Sequence, residues 1–432
     1  MLLNSKSRKL QPLRLQGTDR TSKRMKKPDH AAVVLGMFET GLAVARSLGR
    51  AGIRVQGLDH RSWAGFRSKY VEASLCPNPV SNPDAFVDYL ARIAASEERK
   101  PVLFVTSDDF LLAVSRNRER LKDLVLFNIP DADTLESIAD KYRQYELARS
   151  VGIPVPATVV LERPADVARV RQNVPFPVFV KARDVTSWRN EVGGGLKGFV
   201  ANSPEELASH VDMLLARGLV VLVQELIPGP DTNHFKACCY VSQRGEVVRA
   251  FALRKLRQQP PGFGFGCLVE SVYDPEVLAL GKRFLESIEY RGVGSAEFKR
   301  DERDGELKLI ELNPRYWQQN ALAERCGVNF PLAQYLDLTG EVPAQATSYE
   351  QHVKWLNVFA DLDSFRVYRR RGELTFGSWI RGLRGPKIYS NFAADDPVPG
   401  LSAIATNLMG RRPLRTIAEH ARHTFSKTGD DR

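Results

Sequence analysis

Short apolar runs alternate with stretches of helical periodicity from residue 31 onward, and that alternation predicts most of the chain. Ala31-Ala-Val-Val-Leu-Gly36 is a continuous apolar run, as a strand buried on both faces requires. Residues 42–49 repeat apolar positions at helical spacing, and Ile53-Arg-Val-Gln-Gly-Leu-Asp59 reads as a second strand closed by an acid. Strands over 101–106 and 125–128, with a helix through 110–115 between them, continue the pattern and imply a parallel sheet covered by helices. Asp108 and Asp109 open that helix and are read as its caps. The first turn, Gly36-Met-Phe-Glu-Thr-Gly41, lacks the second glycine that lets a backbone approach a pyrophosphate, so NAD binding is not expected.

A helix across 140–149 stops at Gly152 and Pro154. Residues 155–229 then alternate strand and helix signals and predict a small α+β subdomain, with strands near 157–161, 178–181, 197–200 and 220–225 and helices near 164–171 and 204–216. Strands over 235–241 and 247–253 and a helix over 275–288 follow, with His210 on a helix and His234 in a loop. Gly294-Ser-Ala-Glu-Phe-Lys299 and Leu309-Ile-Glu-Leu-Asn-Pro-Arg315 flank Asp304-Gly305, a hairpin signal that pairs them antiparallel and brings Glu297 towards Glu311. Helices near 321–327 and 331–338 come next. Beyond 346 one more strand, 353–359, precedes a basic, partly apolar stretch read as an appendage.

Composition is that of a globular protein, with 43% hydrophobic and 26% charged residues among 432. The net charge of +11 changes its meaning once located. Residues 1–30 carry nine Lys/Arg against two Asp/Glu, and 366–432 carry thirteen against six, which leaves a slightly acidic body. Nucleic acid is therefore not an expected partner, and weak contact with a membrane surface through the basic ends stays open. Five cysteines without C-x-x-C spacing fit a reducing compartment, and a cytoplasmic location is expected. The first residues lack an apolar leader segment, and disorder is the expectation for them.

The chemistry concentrates in three places. Glu297, Glu311 and Asn313 put two carboxylates and an amide oxygen on one sheet face, a hard donor set suited to Mg²⁺; an isolated Glu-x-Asn would be read as an exposed hairpin. Lys181 ends an apolar strand shortly before Gly193-Gly-Gly-Leu-Lys-Gly198, a loop whose N–H groups can approach phosphates; a plain glycine hairpin is the alternative, and the GK[ST] ending of a Walker A loop is missing. Val223-Gln-Glu-Leu-Ile-Pro-Gly-Pro-Asp231 runs from a strand into a rigid turn, so the backbone around Gln224, Glu225, Leu226 and Ile227 can meet an adenine edge and Asp231 a ribose, or the stretch is a domain hinge. Lys255 and Arg257, read as sharing a strand face, are the candidates for a substrate carboxylate, against a solvated basic edge. No nucleophile–base pair is suggested.

Taken in order over roughly 31–340, Lys141, Val178-Phe-Val-Lys181, the 193–198 loop, Val223-Gln-Glu-Leu-Ile-Pro-Gly229, Glu297 and Glu311-Leu-Asn-Pro-Arg315 resemble the ATP-grasp superfamily, most of all carboxylate–amine ligases of the D-aspartate ligase type. The resemblance implies an α/β and α+β architecture: a Rossmann-like pre-ATP-grasp domain, a two-subdomain ATP-grasp fold and a basic C-terminal extension. The expected divisions are a basic tail (1–29), the first domain (30–130), the ATP-grasp domain (131–345, lid about 155–225) and the extension (346–432). It also implies that Lys141 and Lys181 hold ATP phosphates under the loop of Gly193, Gly194, Gly195 and Lys197. Gln224 and Ile227 would meet adenine and Asp231 the ribose. Glu297, Glu311 and Asn313 would hold Mg²⁺ or Mn²⁺, and Arg315 would stabilise the transferred phosphoryl group. The substrates would be a small-molecule carboxylate and an amine, joined through an acyl phosphate, with a homodimer as an open partner state. An ATP-dependent carboxylase, carbamoyl-phosphate-synthase-like chemistry and a non-enzymatic nucleotide-binding protein are the alternatives.

Overall fold

The computed structural model describes residues 28–409, apart from 184–186, 189–190, 193–197, 342 and 344–347. Strands β1 (Ala32–Leu35), β2 (Val55–Asp59), β3 (Glu72–Leu75) and β4 (Val102–Val105) form a parallel sheet in the order β3-β2-β1-β4. Each residue of β1 is buried, because the strand has protein on both faces. Ala32 and Val34 join a core with Trp317 and Trp355, while Val33 and Leu35 pack with Phe86, Leu90 and Phe110. The strand expected over 125–128 is a single bridge, Leu126 to Val102. Asn128 turns away instead, donating to Val241 O at 2.9 Å.

The first turn is tight for a backbone reason. Gly36 has φ +90°, and a Cβ on Gly41 would stand 1.8 Å from Gly36 O. Asp59 accepts the Met37 N–H at 2.7 Å, so the acid closing β2 is used on the turn itself. Gly41→Ala is therefore expected to cost about 2 kcal/mol or more of stability, because the clash is with backbone that cannot rotate away. Urea unfolding measures it, and an unchanged midpoint would contradict the packing.

Strands β5 (Thr158–Leu161), β6 (Val178–Ala182), β7 (Phe199–Ala201) and β8 (Val221–Glu225) make a second, antiparallel sheet in the order β5-β8-β6-β7. It has its own core, in which Val178, Val180, Val221 and Val223 meet Val170, Leu207, Val211 and Leu214 of two helices. The helix Pro204–Leu215 starts as its sequence demands, with Ser203 accepting the Glu206 N–H and Pro204 in the first turn. Strand alternation then turns Lys181 and Gln224 to the opposite face, away from this core.

The third sheet runs β13-β12-β9-β10-β11-β14-β15, from β9 (His234–Val241), β10 (Val247–Gln259), β11 (Phe265–Val272), β12 (Gly292–Arg300), β13 (Leu307–Asn313), β14 (Lys354–Leu356) and β15 (Lys387–Tyr389). Its pairs are antiparallel except β14 with β15. His234 opens β9 as a buried residue instead of lying in a loop. Sequence reading missed β11, whose start is obscured by Gly262, Gly264 and Gly266. The strand expected over 353–359 is shorter, because Asn357 accepts the Ala360 N–H and starts the helix Val358–Arg370.

The largest difference concerns the stretch read as an appendage. Through β14 and β15 it extends the large sheet, and it also grips the first domain. Asp396 accepts from Arg46 at 2.8 Å, Ser68 at 2.7 Å and the Lys69 N–H at 3.1 Å, all far away in sequence. Among the described residues, no helix is long and apolar enough to cross a membrane.

Candidate active site

Register alone gathers the predicted acids. Pairing of β12 with β13 sets Glu297 opposite Glu311 and Ser295 opposite Asn313. Pairing of β12 with β9 sets Glu297 opposite Lys236, and β10 brings Lys255 onto the same face two residues beyond the partner of Lys236. The hairpin loop has Gly305 at φ +78°, with its N–H on Asp301 O at 2.8 Å. Lys236 and Lys255 then contact the two oxygens of Glu297 at 2.8 and 2.9 Å. Glu311 accepts from Lys141 at 3.2 Å and from Asn313 Nδ2 at 3.0 Å. Burial alone would raise the Glu297 pKa, but Lys236 and Lys255 outweigh it and hold the carboxyl well below the usual range. On the same face the buried Ser295 Oγ has no hydrogen-bond partner among the described residues.

The lysines arrive from separate elements. Lys141 is the first residue of the helix Lys141–Ser150, whose cap Asp140 accepts the Tyr142 and Arg143 N–H groups at 3.0 and 3.2 Å. Asp140 also holds Arg183, beyond β6, at 2.7 Å, which ties the second sheet to the base of this helix. Lys181 reaches Gln224 Oε1 at 3.2 Å; Gln224 Nε2 donates to Tyr145 Oη at 2.8 Å, and Tyr145 donates to Ile310 O at 2.7 Å. A continuous polar path therefore links the phosphate lysine of the resemblance to the strand that carries Glu311.

The stretch after β8 divides by role. Glu225 is buried against Arg303 and Lys308 and accepts the Ala157 N–H at 3.1 Å. Leu226 N–H donates to Pro177 O at 3.4 Å, and Ile227 O accepts from Lys299 at 2.7 Å. Asp231 accepts from Gln258 Nε2 at 2.8 Å, from the Gly262 N–H at 3.2 Å and from the Tyr368 hydroxyl. Gln258 Oε1 takes Lys255 at 3.1 Å, so Tyr368 of the C-terminal segment is connected by hydrogen bonds to Glu297.

Two readings change. Lys255 and Arg257 do not act together: the register of β10 slips between them, sending Lys255 to Glu297 and Arg257 to a buried pair with Asp361 (Nε–Oδ1 2.5 Å). Asp108 does not cap its helix, where Ser107 is the N-cap residue; it binds Arg315 through both oxygens at 2.7 and 3.0 Å. Asp108 is well exposed and Arg315 partly buried, and the pair contributes about 1 kcal/mol or less. Gly193, Gly194, Gly195 and Lys197 lie outside the described residues. Lys236 was missed, although a lone lysine in the apolar run His234-Phe-Lys-Ala-Cys-Cys-Tyr-Val241 is a readable signal. Tyr145, Asp140 and Gln258 gave no local signal.

No family model matches the chain. It is 26% identical over 294 residues to a D-aspartate ligase from Enterococcus faecium (strain Aus0004), covering 65% of this chain and 70% of that protein. Its fold matches an N5-carboxyaminoimidazole synthetase from Staphylococcus aureus complexed with ADP, at TM-score 0.58 and 14% identity over 76% of this chain and 81% of the other. The chain has the ATP-grasp fold. An L-amino acid ligase from Bacillus licheniformis aligns with this ATP-grasp chain at TM-score 0.57 and 14% identity, over 75% and 78% of the two chains. Two of these three relatives are named as ligases and the third as a synthetase.

Proposed function

We propose that this enzyme joins a small-molecule carboxylate to an amine through an acyl phosphate. What supports the reading most is the single sheet face that carries Glu297, Glu311, Asn313, Lys236 and Lys255, with Lys141 reaching it from a helix. A carboxylate oxygen attacks the γ-phosphorus of ATP, the bond to ADP breaks, and an acyl phosphate results. The amine nitrogen then attacks the acyl carbon, phosphate leaves, and the amine loses a proton to give the amide. The first step depends on positioning and charge neutralisation more than on a protein nucleophile.

Lys141 and Lys181 would hold phosphate oxygens, Gln224 and the Ile227 backbone the adenine, and Asp231 the ribose. Arg315, released from Asp108, would meet the transferred phosphoryl group. Glu225 would brace this stretch through Arg303 from below. Lys255 would keep Glu297 ionised, and Arg257 would anchor the C-terminal segment.

The donor set fits a hard divalent cation: two carboxylates, an amide and the unpartnered Ser295 hydroxyl lie together. Among the described residues no three His, Cys, Asp or Glu side chains converge as a cage, and Mg²⁺ sites shared with nucleotide phosphates need no such cage. Glu297, Glu311 and Asn313 would hold Mg²⁺ or Mn²⁺, which when bound supplies charge neutralisation at the phosphates. The test is an ADP-release screen over D- and L-amino acids and primary amines, with product masses. Amide products formed only when carboxylate, amine and ATP are all present are the expected result. ADP release that depends on bicarbonate instead would overturn the reading in favour of a carboxylase.

A further inference from the structure

The helix Glu39–Arg50 begins with a carboxylate that the nucleotide-facing cluster does not use. Glu39 is 7% exposed. Its Oε1 accepts from Asn357 Nδ2 at 2.9 Å and from Asn391 Nδ2 at 2.8 Å, and its Oε2 accepts from Gln318 Nε2. These three partners are neutral amides, the Ser390 hydroxyl that also bonds Glu39 is neutral too, and no ion pair involves Glu39 among the described residues. Burial pushes its pKa up in spite of these donors. The helix N-terminus offsets part of the cost of a charge here, yet glutamine would fill the same space without that cost.

A second acceptor is next to Gln318 in the sequence. Gln319 Oε1 is buried and receives no hydrogen bond among the described residues, while Gln319 Nε2 is anchored on Gly266 O at 2.9 Å. The next carbonyl, Cys267 O, takes the Asn357 N–H at 2.9 Å, so Gln319 and the Glu39 partner Asn357 are held by adjacent residues of β11. A carboxylate without a cation and an amide oxygen without a donor call for the same partner. That partner has positive charge and several N–H donors, as a primary ammonium does.

The location also fits. Glu39 follows β1, beside β4, where the strand order of the parallel sheet reverses, and such crevices take ligands. Asn313, Arg315 and Gln318 share one short segment, so the cluster adjoins the phosphoryl-handling residues. Gln318, Asn357 and Asn391 are half-buried, so the amides that cover the carboxylate are themselves partly exposed to solvent.

We infer that Glu39, with Gln318, Asn357 and Asn391, forms the subsite for the primary ammonium group of a substrate. Two of these four residues belong to the C-terminal segment, which gives that segment a part in choosing the substrate. The inference rests on the ligase reading for what the ammonium is attached to, either the amine or an amino-acid carboxylate.

Two variants separate recognition from mere bracing. Glu39→Gln keeps the shape and removes the charge; Glu39→Asp keeps the charge and shortens the reach. For charge recognition, Glu39→Gln raises the KM of the ammonium-bearing substrate by at least about tenfold, more than Glu39→Asp does, while the KM for ATP moves less than about threefold. If Glu39 only braces the fold by accepting from its amides, Glu39→Gln and Glu39→Asp both lower the melting temperature without a selective rise in the KM of the ammonium-bearing substrate, and the inference falls. Replacing the amine by hydroxylamine locates the ammonium. Hydroxamate formation that persists in Glu39→Gln assigns it to the amine, and hydroxamate lost with ligation assigns it to the carboxylate substrate.

Thermal melting with a panel of D- and L-amino acids and short primary amines needs no turnover. Stabilisation of wild type and Glu39→Asp but not of Glu39→Gln carries the subsite even if nothing is ligated, in which case the ligase reading is what fails. Equal stabilisation of all three proteins, or none of the wild type by any probe, overturns the subsite.

Discussion

Glu311→Ala is expected to lower ATP turnover by about a thousandfold or more, the scale seen when one preorganised electrostatic contact to a reacting group is deleted, with the fold intact. Three ammonium groups, from Lys141, Lys236 and Lys255, stand against two carboxylates here. Removing Glu311 leaves one carboxylate among three cations, which repels a divalent ion and leaves the phosphates as the remaining anions. The fold tolerates the change because Glu311 and its partner Lys141 are only partly buried, so Lys141 can rehydrate. Glu297 is a poorer choice for this test. Its loss would strand the buried Lys236 and Lys255, and unfolding would mask the chemistry. ADP release over a Mg²⁺ and Mn²⁺ titration, with melting as the control, reads the result. Turnover near the wild-type rate in a folded Glu311→Ala protein would remove the metal assignment.

Asp396→Ala should cost about 3–5 kcal/mol, the loss expected when one partner of a buried ion pair is removed. Asp396 is 1% exposed and Arg46 is 5% exposed, so the guanidinium left behind cannot reach water. Ser68 Oγ and the Lys69 N–H lose their acceptor at the same time. The adjacent Asp395 is the internal control. Its pair with Arg50 at 2.8 Å is well exposed, and Asp395→Ala should cost about 1 kcal/mol or less. Urea midpoints at constant slope measure both. Equal, small costs would mean that the C-terminal segment contributes little to holding the first domain.

What could be read in advance followed from periodicity and local turns. Asp304-Gly305 predicted the hairpin, and the pleat then set Glu297 against Glu311. Alternation in β6 and β8 placed Lys181 and Gln224 on one face for the same reason. Pairs that close over long sequence separations were invisible. Arg46 with Asp396, Arg315 with Asp108 and Glu39 with Asn391 are bonds between residues whose own neighbourhoods look ordinary. The C-terminal segment was read only in part for that reason: Lys354–Leu356 lies within the strand read over 353–359, whereas Lys387–Tyr389 is too short to show a period and exists because the edge of β14 is there to pair with. Arg257 was misassigned because the register shifts on either side of it, an irregularity that composition cannot reveal.

That irregularity acts as a change of phase. Because side chains in a strand repeat every two residues, a shift in the ladder changes the side to which a residue is aimed, and shifts on either side of Arg257, towards Lys255 and towards Gln258, put that residue out of step. β10 thus serves two clients, supplying a cation to Glu297 before the slip and one to Asp361 after it. In a related chain without these shifts, the same amino acids would be aimed differently, and Arg257 would fall on the face of Lys255. Functional divergence in this fold can therefore come from ladder register alone, with every charged residue kept.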